Sequence, residues 1–235
     1  MQLSLRLSAI AEMVTEGNRL VDVGCDHGYL PVYLVLEKKI PCALAMDVRK
    51  GPLSRAREHI DAFDLGEYIQ TRLSDGLQKL KPGEGDTLVI AGMGGPLMEK
   101  ILTEGRPVLD SFRELILQPQ SDIRHFRRFL RGEGWEIVQE NIIQEDGKFY
   151  PMMKAVQAER DGMPVWTPEE EWFGKLLLEQ AHPVLLEYLK REFRIRQEIL
   201  KRLGDAPGCQ ARERKKEVME ETQLLEAALK RYESK

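Results

Sequence analysis

The stretch Leu20-Val21-Asp22-Val23-Gly24-Cys25-Asp26-His27-Gly28-Tyr29 is a short apolar run that ends in a glycine-bearing loop and leads into a helix-forming segment from Pro31. A strand, loop and helix in this order make a cofactor loop. Its glycines let backbone N–H groups approach a ligand, and the following helix turns its positive end toward any anionic part of that ligand. Asp26 stands where a dinucleotide fingerprint has its second glycine. A carboxylate there would face a diphosphate, and at ~5 Å with an effective dielectric of about 20 two like unit charges repel by roughly 3 kcal/mol. NAD and FAD are therefore disfavoured. S-adenosylmethionine has no phosphate and carries a sulfonium and an ammonium group, so it favours nearby carboxylates.

The pattern around the loop repeats. Leu3 to Val14 has helical apolar spacing, and Pro31 to Glu37 continues as a helix with Pro31 in the first turn, where its missing N–H costs little. Ala43 to Asp47 reads as a second buried strand, Pro52 to Phe63 as a helix, Tyr68 to Leu73 as a third strand and Thr87 to Ala91 as a fourth. Glu114 to Leu117 is a fifth strand, followed by a helix with Ser121 or Asp122 as its N-cap. Trp135 to Ile143 and Phe149 to Val156 flank the turn signal Glu145-Asp146-Gly147 and predict an antiparallel hairpin at a sheet edge. Alternating strands and helices imply a parallel sheet. Seven strands with a terminal hairpin match the class I methyltransferase arrangement, an α/β Rossmann-like fold.

From residue 159 onward the chain becomes a second, helical domain, which leaves 1–158 as the cofactor-binding domain. Glu169 to Leu203 and Glu213 to Tyr232 are long charged helical stretches separated by the turn Gly204 to Gly208. Leu186, Leu189, Phe193, Arg196, Leu200 and Leu203 form one stripe at spacings of three and four, and Val218, Thr222, Leu225, Leu229 and Tyr232 another. The two predict an antiparallel coiled-coil-like hairpin, with Arg196 and Thr222 as imperfect core positions. The 235 residues, 42% of them hydrophobic, suffice for one such α/β core and a smaller appendage. Cys25, Cys42 and Cys209 lack metal or redox spacing and read as reduced thiols. The expectation is a cytoplasmic protein, monomer or weak dimer, with no metal and no membrane span. A net charge of -4 gives no global pull toward nucleic acid, so an RNA surface has to be a local patch.

Ligands in parallel sheets sit outside the carboxyl ends of the strands. Asp22 and Gly24 end the first strand there, Asp47-Val48 the second, Asp75-Gly76 the third and Gly92-Met93 the fourth. Asp47 lies at the spacing suited to ribose hydroxyls, and Asp75 is placed to accept from an adenine amine. Asp26 either faces the reacting groups or caps the helix near Gly28, while His27 either joins the site or fills a turn. Arg6, Tyr29, Met93 and Gln118 are candidate pocket groups, although Arg6 and Tyr29 also suit helix packing and Gln118 suits a satisfied loop amide. Enzymes that methylate an exocyclic amine commonly carry an Asn/Asp-Pro-Pro-aromatic motif after the fourth strand. Ala91-Gly92-Met93-Gly94 stands there instead, which favours a ring nitrogen. Arg124, Arg127, Arg128 and Arg131 share helical spacing and form a candidate phosphate-binding stripe, with Lys190, Arg191 and Arg194, and Arg212 to Lys216, as further basic clusters.

Asp22 to Pro31, Ile90-Ala91-Gly92-Met93-Gly94-Gly95, Ile116-Leu117-Gln118-Pro119 and Glu145-Asp146-Gly147-Lys148, in this order, resemble the bacterial TrmK family of tRNA methyltransferases that act on N1 of adenine 22. The resemblance spans roughly residues 1 to 157. It implies that Gly24, Asp26, Gly28, Asp47, Asp75, Gly76 and Gly92 line an S-adenosylmethionine site and that tRNA is the partner. Candidate catalytic groups are Asp26, Arg6 and Gln118. His27 and Val48 complete the cofactor set, and Tyr29, Met93 and the Arg124 stripe the substrate set. Two alternatives stay open: a methyltransferase for another RNA or a small molecule, and a noncatalytic cofactor-binding protein whose coiled coil recruits a partner.

Overall fold

The computed structural model describes residues 1–159, 164–204 and 209–233. It divides into two units, Met1–Met163 and Pro164–Lys235. The first contains α1 (Leu5–Met13), β1 (Leu20–Val23), α2 (Tyr29–Leu36), β2 (Ala43–Asp47), α3 (Lys50–Ala62), β3 (Ile69–Leu73), β4 (Thr87–Met93), α4 (Gly95–Glu104), α5 (Arg106–Leu109), β5 (Glu114–Pro119), α6 (Ile123–Gly132), β6 (Trp135–Glu145) and β7 (Lys148–Gln157). The seven strands form one sheet in the order β3-β2-β1-β4-β5-β7-β6. Pairing is parallel from β3 through β5 and antiparallel across β5–β7 and β7–β6.

Every residue of β1 and β2 is buried, as expected of central parallel strands covered on both faces. The direction of winding reverses between β1 and β4, which makes the carboxyl ends of those strands the natural ligand crevice. At the far edge Asp146 and Gly147 both take positive φ, 50° and 72°, the geometry of a two-residue hairpin turn.

Helix α1 is tied to the sheet at both ends. Beyond its carboxyl end, Thr15 donates through its backbone N–H and its hydroxyl to Glu114, at 2.9 and 2.6 Å. Lys154 Nζ pairs with Glu114 at 2.6 Å and donates to the Met13 carbonyl at 3.1 Å. At the amino end the Leu5 N–H donates to Glu145 Oε1 at 2.6 Å. With Ile10 and Met13 buried beneath it, the helix holds Arg6 near the ends of β1 and β4.

Several boundaries differ from the sequence reading. β4 and β5 run on to Met93 and Pro119, because the ladder resumes past Gly92 with Met93 opposite Pro119. Asp122 occupies the N-cap position of α6, but at φ 50° its side chain makes no capping bond. The helix predicted over Glu169 to Leu203 is three: α7 (Pro168–Phe173), α8 (Lys175–Glu179) and α9 (Pro183–Leu203). Gly174, at φ 97°, separates the first two, and Pro183 starts the third, where its ring forbids continuation from the preceding turn.

The last helix is α10 (Cys209–Glu233). Most of the predicted turn between the two long helices, 205–208, lies outside the described residues. α9 and α10 run antiparallel, with Arg196 Nε on Glu221 at 2.6 Å and the Tyr232 hydroxyl donating to the His182 carbonyl at 3.0 Å. The buried positions are Leu185 and Leu189 on α9 and Val218, Thr222, Leu225 and Ala228 on α10, while Leu186 and Leu229 of the predicted stripes are half-buried. Arg196 escapes the cost of an unpaired charge by pairing with Glu192 and Glu221, and the Thr222 hydroxyl donates back to the Val218 carbonyl at 2.6 Å. Among the described residues no helix is long and apolar enough to cross a membrane.

Candidate active site

Two adjoining cavities, of about 350 and 440 Å³, open at the carboxyl ends of β1 to β4 and share Arg6, Gly24, Asp26 and Ala91 in their walls. Asp22, Cys25, His27 and Tyr29 line the first, beneath the amino end of α1. Asp47, Val48, Asp75, Gly76, Gly92 and Met93 line the second. Gly28 lies outside both walls. It is the N-cap of α2 at φ 66°, and a Cβ there would press on Ala56 of α3 at 3.3 Å.

The loop geometry depends on glycine at two positions. Gly24 has φ 78°, and a Cβ on it would collide with the terminal methyl of Met93. Gly92, also at φ 78°, is the bulged residue where the β4–β5 register shifts. The bulge turns Met93 toward the Gly24 loop and frees the Gly92 N–H for Gln118 Oε1, at 3.1 Å. The same oxygen accepts from Arg6 Nη1 at 3.2 Å. Gln118 is fully buried, and its amide nitrogen donates to the Pro119 carbonyl. The structure thus places Gln118 behind the wall as the group that aims Arg6, and takes it out of reach of a substrate base.

Carboxylates dominate the electrostatics. Asp22 is 6% exposed, and its carboxyl is pushed up to about 7 by burial and by the Asp47 carboxylate, with Arg6 pulling the other way. Asp47 Oδ1 accepts the Arg49 N–H at 2.8 Å, which fixes the turn after β2. Burial and the same acids raise the Cys25 thiol far above neutrality, so it is no nucleophile. Asp26 is not a helix cap. It sits at φ 46° with its carboxylate exposed, paired with Arg55 Nη2 of α3 at 3.1 Å. That pairing offsets much of the repulsion on which its exclusion of a diphosphate rested. The buried Asp22 and Asp47 now carry the preference for a cationic ligand.

A methyltransferase domain model matches residues 3–153. The tRNA (adenine(22)-N(1))-methyltransferase of Bacillus subtilis is 33% identical over 232 residues, covering 97% of this chain and 98% of the relative. The chain belongs to this family. The crystal structure of the Bacillus subtilis tRNA methyltransferase TrmK superposes with a TM-score of 0.84 at 33% identity, covering 97% of this chain and 99% of that one. The Streptococcus pneumoniae protein Sp1610, crystallised in complex with S-adenosyl-L-methionine, superposes with a TM-score of 0.86 at 31% identity, covering 97% and 100%.

For a member of the TrmK family the substrate-facing residues need one correction. Arg127 is 1% exposed, with Nε on Glu140 of β6 at 2.8 Å, so it is a structural ion pair and no phosphate ligand. Arg128 is exposed on α6, and Arg124 and Arg131 are half-buried. Tyr29 lines the first cavity together with Arg6 and Leu7 of α1. It is 43% exposed and stacks on His27 with ring centroids 5.3 Å apart. Sequence reasoning left out Arg55, whose only sequence signal is a helical position on α3, and placed Asp22 at the ligand end of the first strand without naming a contact for it. An acid inside a wholly apolar strand was the signal for Asp22.

Proposed function

We propose that this chain transfers a methyl group from S-adenosylmethionine to N1 of adenine 22 in tRNA. The observation that carries the reading is the gathering of Asp22, Asp47 and Asp75 around the Gly24 loop, in a chain that aligns with the Bacillus subtilis tRNA (adenine(22)-N(1))-methyltransferase over nearly its whole length. The site's residues fit this cofactor. Its carboxylates suit two positive charges, and Gly24 and Gly92 line the second cavity without a side chain of their own.

S-adenosylmethionine supplies an electrophilic methyl on a sulfonium sulfur. Asp47 would accept from ribose hydroxyls, Asp75 from the adenine amine, and Asp22 would face the cationic end. Adenine N1 has an in-plane lone pair at neutral pH, so no side chain has to remove a proton before attack. The protein's share of the rate is then orientation, together with stabilisation of the positive charge that develops on the base by nearby carboxylates, Asp26 among them. Arg6, aimed by Gln118, lies in both cavity walls and is placed to orient the acceptor. The Gly92-Met93 bulge offers no Asn/Asp side chain to grip an exocyclic amine, in keeping with ring-nitrogen chemistry.

Methyl transfer from labelled cofactor to unmodified tRNA transcripts, with the position mapped by reverse-transcription stops, tests the reading. The expected result is one stop at adenine 22. No incorporation at saturating cofactor, or a stop elsewhere, would overturn it.

Asp22 adds a pH signature. Its folded carboxyl titrates near 7 and its unfolded one in the ordinary carboxylate range, so between those values the unfolded chain ionises first and stability falls as pH rises. Asp22→Asn removes this cost, so the variant should gain melting temperature over the parent at pH 8 and match it near pH 4. Cofactor binding needs the ionised acid. Affinity in calorimetry should therefore rise with pH up to about 7 and then level off, and in Asp22→Asn be weak and flat. A parent profile that is flat from pH 5.5 to 8 would remove Asp22 from the cationic end of the site.

A further inference from the structure

A line of rings runs outward from the first cavity, and methyl-transfer chemistry leaves it without a task. His27 and Tyr29 are stacked at 5.3 Å, Tyr29 meets His59 edge-on at 4.8 Å, and His59 meets Phe63 edge-on at 5.2 Å. The two members of the line that water reaches most are Tyr29, 43% exposed, and Phe63, 39% exposed. Arg55, His59 and Phe63 follow one another at intervals of four along α3 and its C-cap, so they share one helix face. That face is anchored to the cofactor loop, with Arg55 on Asp26 at 3.1 Å and His59 Nδ1 3.2 Å from the His27 carbonyl.

Exposed rings with an arginine on the same helix face suit unpaired nucleotides, whose bases stack on the rings while a phosphate meets the cation. A protein partner would want a contiguous apolar patch, and here charged side chains flank the rings. The reaction itself supplies a reason for such a platform. N1 lies on the Watson–Crick edge, so the target adenine must leave its stack to react, and the nucleotide beside it loses a stacking neighbour. The rings begin in the wall of the cavity at His27 and Tyr29 and continue outward from it.

We propose that the Arg55-His59-Phe63 face of α3 is a stacking platform for an unpaired tRNA nucleotide adjoining the target adenine, with Phe63 and His59 as positioning residues. The inference rests on the function proposed above. It moves the RNA contact nearest the chemistry from α6 to α3.

Steady-state methylation of tRNA transcripts at saturating cofactor, on the full chain and on Phe63→Ala, Phe63→Leu and Phe63→Trp, tests it. Base stacking on a ring is strong enough for loss of Phe63 to raise the KM for tRNA about tenfold. That rise is expected in Phe63→Ala and Phe63→Leu, with kcat within about twofold and cofactor affinity by calorimetry unchanged. Phe63→Trp should restore KM, and its added indole emission should be quenched when tRNA binds. A KM within about twofold of the parent in Phe63→Ala, or full restoration by Phe63→Leu, would overturn the platform. Should Phe63→Ala fail to fold, an indole at position 63 whose emission tRNA leaves unchanged overturns it equally. Absence of any tRNA methylation by the parent protein would instead overturn the functional reading.

Discussion

Arg127→Ala is expected to lower the melting temperature by about 10 °C, from a loss of roughly 3–5 kcal/mol. The guanidinium is 1% exposed and its partner Glu140 3% exposed, joined at 2.8 Å between α6 and β6. Truncating one member strands the other's charge in a low-dielectric interior, and this desolvation, rather than the worth of the pair itself, sets the size of the effect. Arg127→Met with Glu140→Leu removes both charges at similar volume and should return stability to within about 2 kcal/mol of the parent. Thermal and denaturant unfolding check both variants. An Arg127→Ala protein that melts within about 2 °C of the parent would show that the pair is not buried in solution. The double variant should also keep the parent's salt dependence of tRNA binding, because Arg127 touches no phosphate. A triple alanine variant at 124, 127 and 128 would confuse unfolding with lost RNA affinity.

Gly24→Ala should weaken S-adenosylmethionine binding about 100-fold by calorimetry, an expectation built from two effects. A non-glycine residue at φ 78° costs about 1–2 kcal/mol, which the loop can relieve only by leaving its present path. The new Cβ also strikes the Met93 methyl, and Met93 can yield only by moving within the cavity it lines. Gly24→Ala combined with Met93→Ala relieves the second effect and should recover part of the affinity, leaving the backbone strain. Circular dichroism that matches the parent would show that the fold survives. An affinity within about threefold of the parent would mean that the loop does not approach the cofactor.

Much of this was legible in the chain itself. The buried strands β1 and β2, the reversal at Asp146-Gly147 and the sequence of strand-terminal acids are each decided by residues close to one another, through apolar runs and positive-φ turn chemistry. Asp47, Asp75 and Gly92 could be assigned to one crevice because a parallel sheet brings all its carboxyl ends to the same edge. The failures share a different character. The Arg124 stripe had the right helical period, yet periodicity cannot tell that Glu140 of β6 lies opposite one member of it. Gln118 ended a strand like the other site residues, but the ladder pairs it with Ala91 and runs one residue pair further, Met93 with Pro119, and the side chain is fully buried. The long helix after Glu169 was interrupted where Gly174 and Pro183 stood in plain view, their signals outweighed by the charged helical texture around them.

The sequence alone determined the α/β class, the cofactor loop, the hairpin edge and the helical tail, since these follow from short-range backbone preferences and the burial of apolar faces. Only the tertiary structure decided what each long polar side chain does. Arg55 answers Asp26 from 29 residues away, Arg6 is aimed by Gln118 from 112 away, and His59 and Phe63 extend a line of rings begun at His27. A guanidinium or an amide reaches several ångströms in any direction, so its partner is set by how distant segments pack, and no local rule contains that information.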